Sequence, residues 1–161
     1  MINRRIFAAA ALLLPIVVAG AVDFPERKEG LWERHNQTIA NPGNKKTELT
    51  SKICRDRAYD KSVTVTKPRG KDCTSNLESL GGGRYASQSR CTIGGTVIET
   101  KQTFTYQGNT SFHSETHMTY TPAFSGRTDQ TIILDEKYVG SCPVGMNPGD
   151  ESTPTVKQNA P

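Results

Sequence analysis

The chain has 161 residues, with 20 Lys and Arg against 16 Asp and Glu, a net charge of +4 and 34% hydrophobic residues. Such a length supports one domain with one modest core. Charges of both signs are interspersed, which argues against the clustered basic face of a nucleic-acid binder.

The N-terminus reads as an export signal. Arg4 and Arg5 precede an uncharged apolar run from Ile6 to Val18, and Ala19-Gly20-Ala21 has the small-x-small pattern of a cleavage site. The run has 13 residues, short of the roughly 20 needed to span a bilayer. Cleavage is expected between Ala21 and Val22, so residues 1–21 form a signal peptide and no transmembrane segment remains in the mature chain. No cysteine follows the run, so a lipid anchor is not expected. Loss of Arg4 and Arg5 leaves 18 basic against 16 acidic residues, a net charge of +2.

From Val22 the chain reads as short strands separated by turns. Leu31–Ile39 is the first, with Trp32 expected as its buried anchor. Asn41-Pro42-Gly43-Asn44 is a turn, and Thr47–Cys54 returns. Arg55–Lys61 is polar and suits one helical turn. Ser62–Thr66 is β-branched and is broken by Pro68 and Gly70. There follow Cys73–Leu80, Arg84–Ile93, Thr96–Tyr106, Thr110–Thr121 and Thr128–Val139. The last is ambiguous: Ile132, Leu134 and Tyr138 suit one face, Ile133 and Val139 the other. Asp150–Pro161 is polar, with no core residues, and is expected to be a disordered tail.

The turns set registers. A loop centred on Gly82 opposes Leu80 to Arg84, Leu77 to Ser87 and Cys73 to Cys91. Directly opposed residues have β-carbons about 4.5–5.5 Å apart, close to disulfide reach. All four cysteines lie in the exported part, and an even count there argues for two bridges. Cys73–Cys91 follows from the hairpin, which leaves Cys54–Cys142. A two-residue loop at Gly94-Gly95 opposes Cys91 to Ile98 and Tyr85 to Phe104. A three-residue loop at Gln107-Gly108-Asn109 opposes Phe104 to Phe112 and Ile98 to Met118 on the inner face, and Lys101 to Glu115 and Glu99 to His117 on the outer. Since side chains alternate, one inner face collects Leu77, Tyr85, Ile93, Ile98, Phe104 and Tyr106 together with Cys73 and Cys91.

No constellation of residues points to catalysis. His113 and His117 mimic a helical zinc spacing, but on a strand they stand roughly 13 Å apart and cannot share an ion. No cysteine pair has zinc-site spacing. The serines lack a nucleophile-elbow context, oxidised cysteines are not nucleophiles, and Asp135 and Glu136 point to opposite faces. A hydrolase would instead need a polar cleft with His35 near a carboxylate and a hydroxyl. No catalytic residues, metal or cofactor are expected.

Gly30-Leu31-Trp32-Glu33 and the Cys142–Asp150 stretch, C-P-x-G-x-x-P-G-D, together with the export signal and the cysteines, carry a resemblance over most of residues 23–150. The chain resembles the bacterial exported family of domain of unknown function 3617. The resemblance implies a Gram-negative, periplasmic protein and implies no activity. Within the C-terminal motif Cys142 tethers the chain, Pro143 and Pro148 stiffen it, and the glycines permit turns.

The expected fold is all-β. It is a single antiparallel meander of about six to eight strands over residues 22–149, strongly curved or a partly closed barrel. The expected function is non-catalytic: a module binding a small apolar ligand or an envelope component, with Tyr85, Phe104, Tyr106, Phe112 and Tyr120 as candidate ligand-facing residues. The alternatives are an assembly module acting through a sheet edge with a protein partner, and a hydrolase.

Overall fold

Strand boundaries follow the turn residues closely. The structure, a computed structural model, describes residues 22–63 and 72–159, so the expected signal segment lies outside the described residues. The described residues form eight strands: β1 (Gly30–Asn41), β2 (Lys45–Arg55), β3 (Cys73–Gly81), β4 (Arg84–Ile93), β5 (Thr96–Gln107), β6 (Ser111–Phe124), β7 (Arg127–Gly140) and β8 (Thr155–Asn159). They form one antiparallel sheet in the order β3-β4-β5-β6-β7-β1-β2-β8. The meander runs from β3 to β7, and the β1–β2 hairpin continues it beyond β7. The sheet is all-β in character, wraps a concave face and does not close. Among the described residues there is one helix, α1 (Arg57–Val63), which follows β2. Asp56 caps it, its Oδ1 accepting a 2.7 Å hydrogen bond from the Tyr59 amide.

Both expected disulfides are formed, with Cα–Cα distances of 5.6 Å for Cys54–Cys142 and 4.1 Å for Cys73–Cys91. Cys73 faces Cys91 and Leu77 faces Ser87 as the hairpin symmetry requires. Nearer the turn the expectation fails: Gly81, not Leu80, faces Arg84, and the register shifts between Ser79 and Gly81. Gly82 and Gly83 take φ of 61° and 75°, the geometry of a tight two-residue hairpin turn. The residue left over, Leu80, is absorbed as a bulge. Gly83 has a second reason to lack a side chain, because a β-carbon there would sit 2.7 Å from the Tyr106 carbonyl oxygen.

The Gly94-Gly95 turn gives Cys91 opposite Ile98 and Tyr85 opposite Phe104, as expected. The β5–β6 register is corrected by two residues. Gln107 pairs with Ser111, so the loop is Gly108-Asn109-Thr110; Phe104 opposes Ser114, Ile98 opposes Tyr120, Lys101 opposes His117 and Glu99 opposes Thr119. The loop position is pinned from outside, since the Asn109 carbonyl accepts from the Lys28 amide (2.8 Å) and the Thr110 carbonyl from the Tyr138 amide (2.9 Å). A two-residue shift preserves alternation, so the assignment of faces survives. Phe104 and Phe112 meet diagonally, with ring centroids 6.2 Å apart.

Three further expectations are corrected. The Pro122–Gly126 break is smaller than expected, because β6 runs on to Phe124. Pro122 falls in the stretch where β6–β7 pairing shifts register, and there its missing N–H does no harm. Ser62 and Val63 belong to α1 rather than to a strand; residues 64–66 lie outside the described residues. The tail beyond Asp150 is ordered as far as 159: β8 pairs with β2 from Lys46↔Asn159 to Thr50↔Thr155. The free edge of β2 offers backbone donors and acceptors, and a polar strand can satisfy these without burying apolar side chains.

The core is small. Trp32, Ile53 and Cys54 are its fully buried members, joined by Tyr85, Phe112 and Tyr120. Trp32 is the anchor expected of β1, and its Nε1 donates to the Lys28 carbonyl at 2.8 Å. Ile93 has the inner-face parity but is 54% exposed at its strand end. The stretch after Cys142 docks on β2: Gly149 N donates to the Cys54 carbonyl (2.8 Å) and Cys54 N to the Asp150 carbonyl (3.0 Å).

Candidate functional site

The concave face divides into two halves of different chemistry. At one end Glu136 projects inward from β7. It is 3% exposed, and three guanidiniums surround it. Arg34, its direct neighbour on β1, donates from Nε to Oε1 at 2.9 Å. Arg55, at the end of β2, reaches the same oxygen at 3.0 Å, and Arg27 binds Oε2. Arg55 also pairs with Asp60 of α1 at 2.7 Å, and Arg34 with Glu151 at 3.4 Å. Three cations thus meet three carboxylates. The cluster is balanced in charge and joins strap, sheet, helix and tail. Its residues hold the fold together and leave no unmatched cation in the cluster to trap an anion.

Beside this cluster lie the aromatic rings singled out in the sequence. Tyr85, Phe104, Tyr106 and Phe112 are brought together, with Tyr85 stacked on Phe104 at 5.2 Å and Tyr106 edge-on to Phe112 at 5.1 Å. Tyr120 is elsewhere, stacked on Phe124 at 6.0 Å. The chain itself covers the four. Residues 22–28 form a strap across the inner face, and the Phe24 ring sits 5.0 Å from Tyr85, 5.6 Å from Phe104 and 6.2 Å from Tyr106. The Arg27 guanidinium lies over Phe112 at 4.1 Å, a cation–π contact. The Tyr85 hydroxyl donates to the Asp23 carbonyl at 3.0 Å. Burial raises the Tyr106 phenol above its ordinary value, and the nearby Arg27 charge offsets part of that rise.

What the strap leaves open is a hollow of about 1020 Å³ between the sheet, the strap and α1. Ser75, Ser87, Ser89, Thr100 and Gln102 line its sheet side, together with Leu77.

A family model described as a protein of unknown function (DUF3617) matches residues 27–142. The chain belongs to this family. The part of this DUF3617 chain that matches contains Arg27, Arg34, Arg55 and Glu136, and it ends at Cys142, so both bridges fall within it. No curated protein and no solved structure matches the chain.

The histidines sit on the convex outer face of the DUF3617 sheet. His113 Nδ1 is 2.7 Å from Asp135 Oδ1, His117 Nδ1 is 3.3 Å from Thr131 Oγ1 and His35 Nδ1 is 3.2 Å from Thr50 Oγ1. His35 therefore does have a hydroxyl beside it and Asp135 opposite it on β7. All three side chains stand on the convex face, away from the hollow.

Sequence reading does not find Phe24, Arg27 or the ionic cluster. A signal for the cluster exists. Trp32 inward places Arg34 inward, and Tyr138 inward places Glu136 inward, so opposite charges share a face on two strands. The sign and parity are visible once β1 and β7 are neighbours, which no turn residue reveals.

Proposed function

We propose that this DUF3617 protein is an exported, non-catalytic binding module that holds its ligand in the hollow of the sheet. The observation that carries the proposal is the open space of about 1020 Å³, at the upper end of the roughly 300–1,000 Å³ of small-molecule sites. A sheet whose concave face served only as a core would have filled that space with side chains. Phe104, Tyr106 and Phe112 border one end of the hollow, while Tyr85 is packed beneath the strap against Phe24. Two disulfides suit an oxidising compartment, and together with the N-terminal signal pattern they support the reading of a periplasmic protein. Among the described residues no helix is long and apolar enough to cross a membrane. The test is native mass spectrometry of the protein released from its own envelope. A co-purifying mass lost on denaturation is the expected result; ligand-free protein that also ignores polar and apolar probes would remove the basis of the reading.

One observation favours a second reading, assembly through a sheet edge. β3 ends the strand order, and its sequence, Cys-Thr-Ser-Asn-Leu-Glu-Ser-Leu-Gly, contains no Lys or Pro, the residues that commonly protect edges. The opposite edge carries β8. Sedimentation showing concentration-dependent association, abolished by Asn76→Lys, is the outcome this reading requires.

A further inference from the structure

We infer that the open half of the hollow is a site for an uncharged, hydroxyl-rich chain, that is, a glycan segment. The inference rests on the binding-module reading above and names the ligand class for that site. Two cross-strand rows build the wall. Ser75, Ser89 and Thr100 are mutual neighbours across β3, β4 and β5, and Leu77, Ser87 and Gln102 form the next row. Alternation turns all six toward the hollow, which they line. Within this set the side-chain hydrogen bond among described residues is Ser87 Oγ to Gln102 Oε1, at a long 3.4 Å. The remaining hydroxyls and most of the Gln102 amide's capacity are free for a ligand.

Ser114 is an independent pointer. It is 4% exposed, lies opposite Phe104 and lines the hollow. Its hydroxyl has no side-chain partner among the described residues, and no fully buried polar side-chain atom there is left unsatisfied. The residual accessibility of that hydroxyl therefore opens into the hollow. A nearly buried hydroxyl in such a position is a donor and acceptor awaiting a partner.

The wall discriminates among ligand classes. It carries no ionisable side chain; on the far side Arg57 is paired with Glu26 at 2.7 Å, and Lys61 of α1 also borders the hollow, so an anionic group finds its counter-charge off the wall, not along it. An apolar chain would strip water from the hydroxyls and amide and return no hydrogen bonds, which is unfavourable. A sugar chain supplies alternating donors and acceptors to the wall. It also has an apolar ring face that can lie against Phe104, which borders both the wall and the aromatic cluster.

The test titrates the oxidised full chain with chitotetraose (fully N-acetylated) and maltotetraose, both neutral, and with the neutral apolar dye N-phenyl-1-naphthylamine, following amide chemical shifts. The expected result is saturable shifts at Ser75, Ser87, Ser89, Thr100 and Gln102 with at least one tetrasaccharide. The Ser89→Ala/Gln102→Ala variant should bind about tenfold more weakly, as expected for two lost hydrogen bonds, with an unchanged thermal midpoint. Dye binding in the hollow without any response to either sugar at millimolar concentration would overturn the ligand class and leave the binding-module reading standing. Silence toward all three probes would overturn both, and sugar-induced shifts confined to the convex face would overturn the site.

Discussion

Glu136 carries the largest concentrated electrostatic commitment in the molecule. Its carboxylate is withdrawn from water and held by Arg27, Arg34 and Arg55. Removing one partner from a buried ion pair leaves the others desolvated and uncompensated, a loss of about 3–5 kcal/mol. Glu136→Gln keeps the shape and removes the charge, so it should lower unfolding stability by that amount in a denaturant titration. A loss under about 1 kcal/mol, the value of a surface pair, would show that the cluster is hydrated. Tyr106 makes a different, pH-dependent contribution. Burial raises its phenol above the ordinary value of 10.0, against the pull of Arg27. A raised acid is harder to ionise in the folded state, so its stabilising contribution is complete below pH 10 and is lost as pH rises through the folded value. Denaturation titrations from pH 9 to 11 should show stability falling in the native protein and falling less steeply in Tyr106→Phe. Equal slopes would show that this phenol is not the titrating group.

Among the elements, the strap shows most clearly how contacts distant in sequence complete the concave face. Residues 22–28 have no regular secondary structure, yet Phe24 enters a group of rings from β4 and β5. Half-burying a phenyl ring among aromatics contributes on the order of 2 kcal/mol. Phe24→Ala should lose about that much stability and uncover Tyr85, Phe104 and Tyr106, read as increased binding of an apolar fluorescent dye. Unchanged dye binding would mean that the rings collapse onto one another. Nothing in the sequence announces this contact, because a single phenylalanine in an irregular stretch has neither period nor turn to fix its partner. The hairpins were legible for the opposite reason. Gly94-Gly95 and Gly82-Gly83 occur where left-handed backbone is required; the first fixes every cross-strand pair that follows, and at the second the Leu80 bulge restores the pairing centred on Gly82 from Ser79 onward. Errors arose where a turn alone leaves a choice. The β5–β6 loop could begin at Gln107 or Gly108, and contacts from Lys28 and Tyr138 decide it. β8 was illegible because backbone pairing with β2 does not depend on its side chains. The aromatic half of the candidate site was readable from alternation, whereas its cover and the ionic cluster needed the neighbour relation of β1 and β7.

At the scale of the whole molecule, an open sheet of eight strands must hold its far elements without the closure that removes barrel edges, and the two disulfides do this unequally. Cys73–Cys91 staples β3 to the strand beside it, with a sequence separation of 18. Cys54–Cys142 ties the end of β2 to the chain beyond β7, with a separation of 88. In the chain-entropy account these loops correspond to roughly 3 and 4.5 kcal/mol of stabilisation. Structural context widens the difference. The Cys142 tether positions the segment whose Gly149 and Asp150 bond to Cys54, and Gly149 lies against the Tyr59 ring of α1 at a spacing where a β-carbon would be only 3.1 Å away. Beyond it, Glu151 holds Arg34 of the buried cluster. Losing the long bridge therefore loosens the tail, the helix and the ionic cluster together, whereas losing the short one frays a single edge strand. Guanidinium titrations should show the Cys54→Ala/Cys142→Ala protein less stable than Cys73→Ala/Cys91→Ala by more than the difference in loop entropy alone. Hydrogen exchange should accelerate across β2, α1 and β8 in the first variant and be confined to β3 in the second. A larger loss from the short bridge would show that the β3 edge, rather than the junction of β2 with the C-terminal segment, sets the cooperativity of the sheet.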